Sequence, residues 1–372
     1  MNKLIILISI IISIGSIESS GFTPNLIGSI QVEKPGFVDL IPGADSFYHV
    51  AISSFNGAPF SQDYVFFVAN YSTYNSTIIK QLDNTKLVWP NELSYTNQTI
   101  ISSSVDPFGG LFAPGGFLVP SKTDGAIWYY PFTSKDRSFI TDGKPIELTS
   151  NPQGGQKWFY HRVKRVDVTG DGILDLVTCR SYKPVVGQTK VELVVYVYDN
   201  QTQTYTEKVI LNDVCDVFFD ITDVDNDGRV EIIAAGFFIS QLAVIYSDDK
   251  NNSFLNGNVH IVKIDTNGGQ FFDVRVEDLD LDSDLNKEIL VTNHQGNKAS
   301  VKGSLFYYKL NGDVRSGTWT RNLIYNNFPV LKGGINQAAP GGAKAFRPQV
   351  NDTNSRPYIL VSGDGAEKGE CF

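Results

Sequence analysis

The chain has 372 residues, 42% of them hydrophobic and 12% aromatic, which is ample for a packed core. Its three cysteines exclude a disulfide-rich framework, and a formal net charge of −9 argues against nucleic acid as the partner.

At the N-terminus, Lys3 precedes an apolar run from Leu4 to Ile14, followed by Gly15, Ser16, Ser19 and Ser20. A short positive segment, an apolar stretch of this length and a small-residue exit predict a secretory signal over residues 1–20. The run is short for a bilayer span, and no later stretch is long and apolar enough to be one. Residues 21–372 are therefore expected to form one secreted, extracellular domain without a transmembrane anchor. Sequons at Asn70, Asn75, Asn97, Asn200, Asn251 and Asn351 predict glycans on exposed loops of such a protein. Cys179 and Cys215 lie in neighbouring repeats and are the expected disulfide pair, with Cys371 left single.

Self-similarity organises the rest. An apolar strand, a small-residue turn and a more aromatic strand recur along the chain. His49–Ser54 leads to Tyr64–Val68, Phe117–Ser121 to Ala126–Tyr130, and Asp175–Cys179 to Leu193–Val197. Glu231–Ala235 leads to Leu242–Tyr246 and Glu288–Thr292 to Ser304–Tyr308, and a sixth copy opens at Tyr358–Ser362. The segments are rich in Val, Ile, Tyr and Phe and bounded by Gly, Asn and Asp, as strands and hairpins are. A spacing of about 56 to 70 residues suits a four-stranded propeller blade, and the third copy predicts strands near 161–166, 174–179, 191–197 and 204–211. The expectation is an all-β chain folded as a single β-propeller of six four-stranded blades, with seven as the alternative. Asn25–Ile27 matches Asn322–Ile324 in the fifth copy's last strand, so an N-terminal strand is expected to close the final blade.

Three copies place an acid-rich loop between their first and second strands. One holds Asp167, Thr169, Asp171 and Asp175, and the next holds Asp223, Asp225, Asp227 and Glu231, each at positions one, three, five and nine. The third holds Asp278, Asp280, Asp282, Asp284 and Glu288. Its register is open: counting from Asp278 needs two extra residues, and counting from Asp280 puts Leu285 where the others have Gly172 and Gly228. Oxygen ligands at alternating positions, with a glycine that lets a later carboxylate return, suit calcium. Crowded carboxylates in so short a turn repel one another unless a cation neutralises them. Asp, Asn and Gly are also ordinary turn formers, but three such loops at one place in successive repeats go beyond that.

These loops, with the apolar strand after each, resemble the FG-GAP/VCBS repeats of integrin-α-like propellers, most closely over residues 158–293. The resemblance implies a propeller with structural calcium, extracellular and engaged in adhesion or ligand recognition. The matching regions near Asp39–Phe47, Asp106–Gly116 and Asn351–Pro357 lack the carboxylate ladder.

The expected partner is an extracellular protein or glycan. Aromatic segments lead into the innermost strands, and Trp158, Tyr160, His161 and Arg347 are the candidate ligand contacts; the same aromatics also read as packing between blades. The four histidines fall in no zinc motif, and no nucleophile elbow, phosphate loop or dinucleotide fingerprint occurs, so catalysis is not predicted. A lectin, a polysaccharide-active enzyme or a structural matrix protein remain the alternatives to a recognition module.

Overall fold

The computed structural model describes residues 32–43, 48–69, 79–82, 84–137, 145–149, 156–199, 201–202, 204–251, 253–279, 286–294, 303–328, 340–347 and 356–362. These form two compact units, residues 32–213 and residues 214–362. Each is an all-β, propeller-like array of four-stranded antiparallel blades. Among the described residues, no helix is long and apolar enough to cross a membrane.

The first unit has three blades. The strands run β1 (Pro35–Pro42), β2 (Tyr48–Ser54), β3 (Tyr64–Val68) and β4 (Ile79–Leu82), then β5 (Ser94–Thr96), β6 (Gly110–Pro114), β7 (Ile127–Pro131) and β8 (Ile146–Glu147). The third blade is β9 (Phe159–Val166), β10 (Asp175–Tyr182), β11 (Lys190–Asp199) and β12 (Thr204–Asn212). The second unit has β13 (Phe219–Thr222), β14 (Glu231–Gly236), β15 (Gln241–Ser247) and β16 (Val259–Asp265), then β17 (Gln270–Glu277), β18 (Glu288–His294), β19 (Gly303–Asn311) and β20 (Thr318–Phe328). A hairpin of β21 (Ala343–Phe346) and β22 (Tyr358–Val361) follows. Within every blade the strands pair in chain order.

Side-chain chemistry explains which strand goes where. Second and third strands such as β14 and β15 are buried on both faces, so their centres read as continuous Val, Ile, Leu and Ala. The fourth strand β12, Thr-Tyr-Thr-Glu-Lys-Val-Ile-Leu-Asn, alternates between exposed and half-buried positions as an outer edge should. Between successive blades within each unit the apolar faces interlock. Ala51, Val65 and Phe67 meet Leu111, Trp128 and Tyr130 in the first unit, and Ile233 and Val244 meet Val274, Ile289 and Tyr308 in the second. Each such aliphatic side chain contributes roughly 1.5–3 kcal/mol by leaving water. Cys179 and Cys215 are both fully buried and disulfide-bonded.

The expectation of six or seven complete blades is corrected. The described residues hold five four-stranded blades and a two-stranded sixth sheet. The sixth copy was inferred from its Tyr358–Ser362 segment, and one strand of a repeat does not guarantee the other three. The first described strand, β1, is an edge strand of the first blade and pairs with β2. Asn25–Ile27 lies outside the described residues. The second copy is also displaced. Its strand is β6, Gly110–Pro114, while Phe117–Ser121 forms the turn leading to β7.

Candidate metal centre

In the third and fourth blades, the loop from first to second strand is one structure built twice. The carboxylate at position one turns inward: Asp167 Oδ2 accepts the Gly172 N–H at 2.7 Å, and Asp223 Oδ2 accepts the Gly228 N–H at 2.8 Å. Position five caps the turn, with Asp171 accepting from Ile173 N and Asp227 from Arg229 N. Positions four and six are left-handed in both loops, with φ of 76° and 85° at Gly170 and Gly172 and of 57° and 86° at Asn226 and Gly228. A Cβ at Gly172 or Gly228 would meet nothing within 4 Å, so backbone conformation and not space selects glycine there.

The closing acid is fixed the same way. Val168 N donates to Asp175 Oδ2 at 3.2 Å, and Val224 N donates to Glu231 Oε2 at 3.0 Å. The other oxygens, Asp175 Oδ1 and Glu231 Oε1, are buried and accept no hydrogen bond; Asp225 Oδ1 is in the same position. Leaving a buried carboxylate oxygen unsatisfied is expensive. In the fourth-blade loop, oxygens of Asp223, Asp225 and Asp227 lie within 4.8 Å of one another. Burial, with the charges of Asp225, Asp227 and Asp223 added, pushes the Glu231 carboxyl up to about 8 against the opposing Val224 N–H. Burial likewise raises Asp175, to about 6. The donor set is all oxygen, crowded, anionic and partly unsatisfied, so the residues present fit a hard divalent cation.

The fifth-blade loop repeats the closing contact: Leu279 N donates to Glu288 Oε2 at 2.8 Å. Because the amide after Asp167 and Asp223 makes the same bond, Asp278 takes position one and the loop carries two extra residues. Asp280, Asp282 and Asp284 lie outside the described residues.

Trp158, Tyr160 and His161 sit on or beside β9 and are almost wholly buried, at 1%, 1% and 4% exposure. Trp158 and Tyr160 belong to the apolar layer between second and third blades, and the Arg180 guanidinium covers the Trp158 ring at 4.4 Å. Burial, with the Arg162 charge nearby, drives the His161 imidazole down to about 3. Arg347 belongs to the second unit, 3.7 Å from the Asp278 carboxylate. Of the sequons, Asn97 and Asn251 stand exposed in turns; Asn70, Asn75, Asn200 and Asn351 lie outside the described residues.

One feature escaped sequence reasoning. At the end of the first unit where second strands turn into third strands, Trp89 is stacked on both faces, by Phe55 at 4.8 Å and Phe117 at 5.2 Å. Beside this column Phe60 projects into solvent at 89% exposure and φ 60°, its N–H held by Ser121 Oγ at 2.8 Å. Trp89 and Ser121 also have positive φ, at 43° and 71°. Underneath, the fully buried Lys122 and Asp63 form an ion pair. The partners lie tens of residues apart, and no local pattern joins them.

Comparison with protein-family models and with curated proteins finds no match to this chain.

Proposed function

We propose that this protein is a secreted, calcium-binding propeller of the FG-GAP/VCBS, integrin-α-like kind that serves as an extracellular recognition or adhesion module. The observation that carries the calcium reading is the pair of buried closing carboxylates, Asp175 and Glu231, each with one oxygen held by a backbone amide and the other left without a hydrogen bond. In the fourth blade Asp223, Asp225, Asp227 and Glu231 would hold the ion; in the third, Asp167, Thr169, Asp171 and Asp175 would. When bound, calcium supplies the positive charge that the crowded carboxylates lack, stiffening the blade. For recognition, the strained turn that carries Phe60 supports a surface role. A bulky residue held at positive φ and pushed into water is costly unless it serves a contact. An extracellular protein or glycan is the proposed ligand class.

The test has two arms. Equilibrium dialysis should find calcium bound to the purified secreted protein, and the D223N/E231Q double variant should lose one site. A glycan and extracellular-protein array, probed with and without calcium, should give signals that F60S weakens while the fold is retained. Absence of bound calcium at millimolar concentration removes the metal reading, and signals indifferent to Phe60 remove this surface.

A further inference from the structure

The acid loop of the fourth blade is held by its neighbour as well as by itself. The turn between β19 and β20 reaches over it and engages two of its carboxylates from adjacent residues. Val314 N donates to Asp225 Oδ2 at 2.8 Å, and Arg315 Nη1 lies 2.7 Å from Asp227 Oδ2. That turn is prearranged: Asp313 accepts from Arg315 N at 2.8 Å, from Ser316 N at 2.9 Å and from the Ser316 hydroxyl at 2.7 Å. Arg315 also rests over the Tyr246 ring of the fourth blade, 5.1 Å from its centre. From the other side Lys287 donates its ammonium to the Asp223 carbonyl at 2.8 Å and its backbone N–H to the Val224 carbonyl at 2.9 Å.

We infer that Arg315 is a built-in competing cation that lowers the calcium affinity of the fourth-blade loop and couples that site to the docking of the fifth-blade turn. The inference rests on the calcium reading proposed above. Asp225 shows the division of labour: one oxygen is tied outward to Val314, while the other is buried without a hydrogen bond. Val314 therefore orients a ligand without adding charge. Arg315 instead brings a full positive charge against Asp227, which repels a divalent ion sharing the same carboxylates. By reciprocity, an ion bound there weakens the hold of Arg315 on Asp227 by the same factor that Arg315 weakens the ion. The loop thus exchanges a contact between blades for a bound metal. Asp171 and Asp227 both accept from an amide of their own loop, but among the described residues Asp227 is ion-paired, to Arg315, and Asp171 is not, so the third-blade site serves as an internal reference.

The test is calorimetric titration of calcium into wild type, R315Q, and the loop knock-outs D167N/D171N and D223N/D227N, each at low and high salt. The knock-outs assign the two binding events. R315Q should tighten the fourth-blade event about three- to tenfold at low salt, with the gain shrinking at high salt and the third-blade event unmoved. An R315Q affinity equal to or below wild type at the fourth blade, or an equal shift at both blades, overturns the inference. No calcium heat in wild type while the protein remains folded overturns the calcium reading itself. A second readout needs no calcium: in EDTA, R315Q and D227N should be non-additive in melting temperature, and strict additivity would contradict the Arg315–Asp227 coupling.

Discussion

At the scale of single residues, burial decides what each polar group does. His161 and His294 are buried, and burial pulls their imidazoles down to about 3 and about 4. In the folded chain they stay neutral at a pH where the unfolded chain, with histidine near 6.5, takes up protons. The unfolded state therefore binds more protons below about pH 6.5, so this part of the stability is complete above that pH and fades as pH falls toward 4. The raised carboxyls of Glu231 and Asp175 work in the opposite sense, so the His294 share is read by difference: between pH 7 and 4 the H294Q variant should lose less melting temperature than wild type. Trp158 is a second case. Its burial and its cover by Arg180 make W158A a packing loss of about 3–5 kcal/mol, measured by urea denaturation. Lys122 and Asp63 are both buried, and K122M would strand the carboxylate at a cost of about 3–5 kcal/mol. A K122M midpoint equal to wild type would mean that the ion pair contributes nothing net.

At the scale of elements, the acid loops depend on backbone conformation. Gly228 sits at φ 86° with open space around its missing Cβ, so G228A should cost about 1–2 kcal/mol from conformation alone. Asparagine tolerates this region better, as Asn226 does two residues earlier at φ 57°, so G228N should recover part of the loss in the same denaturation assay. This loop was legible in the sequence because its chemistry is local: nine residues hold the ladder, the glycine and the closing acid. The third-blade strands were legible for a similar reason, since the bounds of β9 to β12 lie within three residues of the expected 161–166, 174–179, 191–197 and 204–211. The second blade was not. Gly-Leu-Phe-Ala-Pro and Phe-Leu-Val-Pro-Ser are both short, largely apolar and proline-containing, and only the pairing of Gly110–Pro114 with β5 and β7 tells strand from turn. Nor could local reading find Val314 and Arg315, which approach Asp225 and Asp227 from 88 or more residues away.

At the scale of the whole molecule, repeat counting carried further on the kind of blade than on their number. Continuous apolar second and third strands announce a sheet buried on both faces, which is why four-stranded blades were foreseeable. The count depends on strands that pair far along the chain, and there the final copy yields only the β21–β22 hairpin among the described residues. The proposed calcium would act at this larger scale too, because a ligand that binds only the folded state raises the stability of everything that unfolds with it. The direct test is the thermal melt of wild type and E231Q in calcium and in EDTA. Glu231 is buried with one oxygen unsatisfied and three carboxylates nearby, so without metal its charge is a burden that glutamine removes. In EDTA, E231Q should melt at or above wild type; in millimolar calcium, wild type should gain several degrees and E231Q much less, so that the order reverses. A wild-type melt identical in calcium and EDTA would contradict the account.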